Sequence, residues 1–129
     1  MTAVTRLVTH AELDEADTTA RQLSVSARLE AVLADGRSVV LLDDRGWGSS
    51  GENVRASTTV EDIEDTARMV VGPDEPFGDE TREQAEGGHW AALADILKRQ
   101  GVDADGPELA RLPHDVTLGN RLHAWLAGS

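Results

Sequence analysis

The stretch LSVSARLEAVLADGRSVVLL, residues 23–42, decides the fold of this chain. Its first half alternates apolar and polar side chains, with the apolar ones at positions 23, 25, 27, 29, 31 and 33. A helical face through positions 25, 29, 32 and 33 also matches, and we interpret the segment as a half-buried strand. The Asp35-Gly36 pair is typical of a hairpin turn, because glycine tolerates the positive φ that such turns require. The β-rich run Ser38–Leu42 follows at once, so the sequence predicts a hairpin over about residues 23–43.

Two further elements are predicted on either side of this hairpin. Thr9 and Glu12 have the spacing of a capping box, which predicts a helix that begins at His10 and ends near residue 20. After the hairpin, residues 53–57 are a candidate third strand.

The remaining chain has helical patterns. A capping pair, Thr58 with Glu61 or Thr59 with Asp62, precedes an apolar stripe at positions 60, 63, 67 and 70. Residues 80–86 form at most a helical turn that Gly87-Gly88 breaks, and a helix through positions 90–97 follows, ended by Gly101. A turn over 107–112 precedes a last helix with apolar positions 118, 122, 125 and 126. The sequence predicts one α+β domain, residues 1–129, in which three or four helices cover a small antiparallel sheet.

Composition excludes several classes of function. The 129 residues include 24 acidic and 12 basic side chains, for a net charge of −12. This charge opposes binding to nucleic acid, which relies on Lys and Arg beside phosphates. The apolar runs, such as residues 39–42 and 90–94, are too short to cross a membrane, and we expect a cytoplasmic protein. The absence of cysteine excludes thiol catalysis and thiolate metal sites.

The excess negative charge is concentrated in one segment. Residues 52–86, called the acidic segment below, carry 11 acidic and only 3 basic side chains. Such a run is typical of a solvated face, and it also suits the docking of a basic partner protein. A divalent-cation site is the third alternative, but the carboxylates do not have the spacing of an EF-hand loop. We therefore predict neither a metal nor another cofactor.

A glycine-rich stretch follows the predicted hairpin. Residues 46–51 read GWGSSG, which is a literal G-x-G-x-x-G. A dinucleotide site needs a helix that opens at the third glycine of a parallel βαβ unit, and no helical face follows here, so we interpret the stretch as a flexible surface loop. Trp47 either folds back onto the core or stands out as an anchor for a partner. If it is an anchor, Trp47→Ala should abolish partner capture and leave the melting temperature nearly unchanged.

Acid-base chemistry would depend on four histidines, at positions 10, 89, 114 and 123. His114 is a candidate general base whose tautomer the adjacent Asp115 would fix, and His89 is a second candidate. Ser49 or Ser50 with His114 and an Asp would complete a Ser-His-Asp site, although no G-x-S-x-G motif supports one.

Two hypotheses on function result. The sequence favours a small acidic binding module that engages the basic surface of a partner protein. Its predicted partner-binding residues are Asp43, Asp44, Arg45, Trp47, Glu61, Glu64 and Asp65. The alternative is a small hydrolase-type enzyme that uses histidine and carboxylate groups, with or without the assistance of a metal.

Overall fold

The computed structural model describes residues 3–127, which form four strands and five helices. The strands are β1 (Val4–Leu13), β2 (Gln22–Leu33), β3 (Ser38–Ser50) and β4 (His114–Leu118). The helices are α1 (Val54–Ser57), α2 (Val60–Val70), α3 (Arg82–Arg99), α4 (Gly106–Arg111) and α5 (Asn120–Leu126). The predicted α+β class is confirmed.

The predicted hairpin is confirmed as the β2–β3 pair, and the strand interpretation of residues 23–33 is correct. Its turn has Gly36 at a φ of +90°, where the Gly36 N–H donates to the Leu33 carbonyl oxygen over 2.9 Å. The Asp35 carboxylate accepts from the Arg37 N–H over 3.0 Å. Glycine avoids the steric cost that a Cβ atom would meet at this φ.

The sheet is mixed, and its strand order is β3-β2-β1-β4. The β3–β2 and β2–β1 pairs are antiparallel, whereas β1 and β4 are parallel, with Leu7 opposite His114 and Ala11 opposite Leu118. The prediction of an antiparallel sheet is therefore wrong in one pair. In that pair, β1 overlaps the segment that the sequence analysis predicted as a helix. Strand β4 ends at Leu118, which the sequence analysis placed on the last helix, whereas α5 begins only at Asn120.

The predicted helix over residues 10–20 is wrong, because its first residues belong to β1. Thr9 is not a helix cap but lies on the face of β1 that is turned toward the helices, where it is 0% exposed. Glu12 does cap a helix, but it is α5: its Oε1 atom accepts from the Leu122 N–H over 3.0 Å. The residue at the start of α5 is Gly119, which has no side chain, and the Glu12 carboxylate lies where a Cβ atom of residue 119 would be.

Four other predicted segments differ. Helix α1 replaces the predicted third strand over residues 53–57, and α4 covers most of the predicted turn over 107–112. Most of the glycine-rich stretch belongs to β3, and Gly87-Gly88 does not interrupt α3. Two glycines cost roughly 2 kcal/mol relative to alanine in a helix. The helix continues because a Thr81–Gln84 capping box fixes its start and the apolar side chains at 93, 94 and 97 are buried near its end.

The ends of two helices agree with the sequence patterns. Helix α2 starts at the Thr59–Asp62 capping box. Helix α3 ends in a Schellman motif, in which Gly101 has a φ of +78° and the Val102 N–H donates to the Leu97 carbonyl oxygen over 3.0 Å. Both ends have the geometry that satisfies the terminal backbone groups of a helix.

Two hydrophobic clusters rest on one face of the sheet. The first joins the sheet to α3 and α4, and the second joins it to α1, α2 and α5. The opposite face is mostly polar and carries the ion pair between Arg6 and Asp115 at 2.8 Å and the pair between His10 and Glu30. The second half of β3 touches both clusters through Trp47.

Candidate functional site

Two cavities lie beside the second half of β3. The first, called the Trp47 cavity, has a volume of about 410 Å³ and lies between β3, α1 and α2. The second, called the His89 cavity, has a volume of about 360 Å³ and lies between β3, α3 and the loop after α2. Both have volumes in the range of small-molecule sites. Six residues that the sequence analysis selected line one or the other: Trp47, Asp65, Ser49 and Ser50 line the first, and Arg45 and His89 line the second.

The Trp47 cavity combines an aromatic ring with polar side chains. Its aromatic member is Trp47, and its acidic members are Asp62 and Asp65 on α2. The other lining residues are Leu23, Ser49, Ser50, Val54, Ser57, Thr58, Ile63 and Thr66. None of these lining residues is basic. The predicted binding residues Trp47 and Asp65 therefore meet in one place.

Trp47 is half-buried and packs against both hydrophobic clusters. It lies opposite Val25 on β2, a residue of the second cluster that is only 2% exposed. Because the indole lines the cavity and also contacts the core, the two alternatives of core residue and exposed anchor do not exclude each other. A substitution at Trp47 acts on stability as well as on the cavity.

The His89 cavity is organised around Arg45. One guanidinium nitrogen, Nη1, donates to the Asp74 carboxylate over 2.9 Å and to the Val70 carbonyl oxygen over 3.3 Å. The second contact places a cation on the last turn of α2, where the helix dipole favours positive charge. Arg45 thus ties β3 to the end of α2, which is a structural role that the sequence analysis did not foresee.

His89 lines the same cavity on α3. Burial is the main factor that lowers the pKa of the His89 imidazole, and the nearby Arg45 charge lowers it further. The Asp74 carboxylate and the Val71 backbone act in the opposite direction. The Nε2 atom is buried and has no hydrogen-bond partner within residues 3–127. A neutral imidazole suits this environment, because an unpaired charge would be costly to bury.

Asp43 and Asp44 lie on an exposed irregularity of β3. Arg45 is opposite Ala27 and Leu42 is opposite Leu29, so β3 contains one residue more than β2 in this interval. Such a bulge interrupts regular pairing, and charged side chains on an outer strand discourage pairing with another chain. This position gives the two carboxylates a structural explanation besides the predicted contact with a partner.

The predicted residues of α2 have different surroundings. Glu61 and Asp65 are exposed, and Glu64 is half-buried. Asp65 makes a long contact of 3.7 Å with Arg68 one turn later. Only Asp65 among these three lines the Trp47 cavity. The predicted set is therefore distributed between two cavities, the β3 bulge and the open surface of α2.

His114 and Asp115 lie on opposite faces of the sheet, because successive side chains of a strand alternate. The His114 Nε2 atom is 2.6 Å from the Thr9 hydroxyl oxygen, whereas the Asp115 carboxylate accepts from Arg6 over 2.8 Å. Asp115 does not hold the His114 ring as the predicted general-base pair requires. Burial is the main cause that lowers the pKa of His114, and the Arg68 charge adds to it.

These two histidines predict that stability decreases on mild acidification. Their pKa values are lowered in the folded state, whereas an unfolded chain has a histidine pKa of about 6.5. The unfolded state therefore takes up protons first. The stability that depends on the two neutral histidines is fully present above about pH 6.5 and is lost as pH falls toward the lowered pKa values. Urea unfolding should show a larger loss between about pH 7.5 and 5.5 in the wild type than in a His89→Gln/His114→Gln double variant.

The control for this measurement is His123→Gln, because His123 is exposed on α5. This variant should keep the pH dependence of the wild type. Equal pH dependence in the wild type and the double variant would contradict the assignment of the effect to His89 and His114.

Residues 3–127 contain no group of three or more His, Asp or Glu side chains arranged to hold a metal ion. Within the same range, no helix combines the length and the apolar character needed to cross a membrane.

Phe77 is a surface feature that the sequence analysis did not select. It is the only phenylalanine of the chain and is 90% exposed in the loop after α2. Four of its neighbours, at positions 74, 75, 79 and 80, are acidic. The sequence did contain a signal for this exposure. Phe77 is an apolar aromatic residue between Pro76 and Gly78 in a charged loop, and no apolar residue is spaced so that it would share a buried face with it.

Comparison with known proteins adds no relative. The chain matches no protein-family model, and no curated protein and no solved structure shows significant similarity to it.

Proposed function

We propose that this protein is an acidic protein-binding domain, and that the acidic segment with Phe77 forms its partner-binding surface. The observation that carries the proposal is the exposure of Phe77 within a loop of negative charge. Aromatic residues and methionine are enriched in protein interfaces, and an exposed apolar residue that is fixed in position suits an anchor.

The local backbone supports this role because it holds the Phe77 position in a turn. The Glu80 N–H donates to the Phe77 carbonyl oxygen over 3.1 Å, and Gly78 has a φ of +62°. In return, the Glu80 carboxylate is 3.4 Å from the Phe77 nitrogen. An ordered turn reduces the entropy that is lost when a partner binds.

Exposed hydrophobic residues are also present on α2. Four large hydrophobic residues are well exposed in residues 3–127, and three of them, Val60, Met69 and Phe77, lie in the acidic segment. Met69 is 69% exposed. A partner with a basic surface and an apolar pocket is complementary to this combination, since opposite charges accelerate association and the apolar contacts slow dissociation.

The test is affinity capture from a lysate of the source organism with the purified protein, its Phe77→Ser variant and a Val40→Ser control. Val40 is 44% exposed on β3 and lies outside the acidic segment. We expect a partner protein to be retained at about 50 mM salt. Its retention should be strongly reduced at about 500 mM salt, because salt screens exposed charges. Phe77→Ser should reduce retention at least about tenfold, as the loss of an interface anchor does.

The Val40→Ser variant should retain the partner as well as the wild type does. Retention that is equal for the wild type and Phe77→Ser, or insensitive to salt, would contradict the proposal. Circular dichroism of each variant checks that the fold is intact.

The enzyme alternative would have to use the His89 cavity, where a histidine lies near the carboxylates of Asp74, Glu75 and Glu80. The residues that line this cavity include no serine or threonine. A hydrolase at this position would need to activate water, and the buried Nε2 atom of His89 is not placed to do so. The geometry therefore supports binding better than catalysis.

A further inference from the structure

The Trp47 cavity has an electrostatic character that the surface around Phe77 does not explain. Two carboxylates, Asp62 and Asp65, belong to its lining, and no lining residue carries a positive charge. Asp62 and Asp65 are three positions apart on α2, so they lie on the same side of the helix. The cavity thus offers negative charge to a ligand without an internal cation to neutralise it.

The hydrogen bonds of the two carboxylates leave acceptor capacity free. One oxygen of Asp62 accepts from the Thr59 N–H over 3.2 Å in the capping box. Asp65 is 3.7 Å from Arg68, which is a long contact, and the Arg68 Nε atom donates to the His114 carbonyl oxygen over 3.3 Å. A carboxylate has about four acceptor positions, so both groups can accept further donors.

The indole of Trp47 provides an independent indication of the ligand. A tryptophan ring attracts organic cations through the negative charge of its face. A guanidinium group is planar, stacks on aromatic rings and donates to carboxylates through two parallel bonds. A cavity of about 410 Å³ is large enough to accept such a side chain.

From this arrangement we propose that the Trp47 cavity binds an arginine side chain, which the partner protein presents at a second contact in addition to the one at Phe77. The origin of the arginine in a partner rests on the proposed function, whereas the capacity of the cavity to bind a guanidinium group is tested separately. Five hydroxyl groups also line the cavity, at positions 49, 50, 57, 58 and 66, and they would suit a sugar. The two carboxylates without a basic neighbour in the lining favour the cation.

The experiment titrates the 129-residue protein with N-acetyl-L-arginine amide and follows the Trp47 indole and the amides of residues 62–66 by NMR. We expect saturable shifts with a Kd on the order of 1 mM, as for a ligand of this size. N-acetyl-L-lysine amide should bind at least about threefold more weakly, since an ammonium lacks the planar fork. Glucose should cause no saturable shift.

Three variants locate the site. Asp65→Asn should weaken arginine binding at least about fivefold, and Trp47→Phe should weaken it while it keeps an aromatic ring in the core. The matched control is Asp95→Asn, because Asp95 is an exposed carboxylate on α3 outside the cavity. It changes the net charge by the same amount and should leave the Kd unchanged.

Several results would overturn this inference. They are the absence of saturable shifts, equal binding of the lysine derivative, preferential binding of glucose, or equal weakening by Asp65→Asn and Asp95→Asn. Partner capture that depends on Phe77 without arginine binding would reject the cavity alone. Arginine binding to the cavity without salt-sensitive partner capture would reject the proposed function and retain the cavity.

Discussion

Gly46→Ala is expected to lower the free energy of unfolding by about 2–3 kcal/mol, because β2 leaves no room for a side chain at this position. Gly46 is paired with Ser26, and a Cβ atom at residue 46 would lie 2.6 Å from the Val25 carbonyl oxygen. That oxygen belongs to the backbone and cannot rotate away. The two strands would have to separate next to Trp47 to accept the methyl group. Urea unfolding followed by circular dichroism measures the loss.

Gly48→Ala is the matched control on the same strand. A Cβ atom at residue 48 would lie 3.4 Å from the Leu23 carbonyl oxygen, which is an ordinary contact, so its stability should remain within about 0.5 kcal/mol of the wild type. Equal effects of the two substitutions would contradict the argument from close strand contact. Close packing between the strands therefore explains why position 46, the first of the G-x-G-x-x-G pattern, is a glycine, and this explanation does not require phosphate binding.

Trp47→Ala should reduce the free energy of unfolding by about 2–4 kcal/mol, because it removes a large side chain from the junction of the two hydrophobic clusters. The indole is only half-buried, which places the expected loss below that of a fully enclosed tryptophan. Trp47→Phe should recover much of this stability, since phenylalanine restores most of the apolar contact. Thermal and urea unfolding of both variants measure the difference.

This prediction changes how Trp47 is used as a probe of binding. If Trp47 were only an anchor for a partner, Trp47→Ala would abolish capture and leave the melting temperature nearly unchanged. A nearly unchanged melting temperature would therefore contradict the packing described here. Because we expect the stability to fall, partner binding is better tested at Phe77 and Asp65, whose side chains are exposed.

The parts of the fold that were predictable are those with local signals. The β2–β3 hairpin has regular alternation and a glycine turn at Gly36, and α2 has its capping box and apolar stripe within a few residues. These patterns determine structure through neighbours in sequence. Helix α3 was predicted only in its second half, because Gly87 and Gly88 interrupt the local signal but not the packed helix.

The parts that were not predictable depend on contacts between distant residues. Thr9 and Glu12 have capping-box spacing, yet Thr9 contacts His114 and Glu12 caps α5. In β1, the polar residue Thr9 occupies a buried position and interrupts the alternation of apolar and polar residues that would identify a strand. Its hydroxyl group is satisfied by His114, which comes from the other end of the chain. The candidate site shows the same limit: Trp47 and Asp65 were selected separately, but only the fold places them in one cavity.

The parallel pairing of β1 with β4 has a consequence for how the chain folds. Thr9 and His114 are separated by 105 residues, and closing a flexible loop of that length costs about 4 kcal/mol of chain entropy. We expect β4 to dock late, after β1, β2 and β3 have associated through shorter connections. Until then one edge of β1 has unpaired backbone groups and Glu12 has no helix to cap. In a growing chain that interval lasts until β4 and α5 have been synthesised, so the nascent protein is most exposed to mispairing at the edge of its first strand.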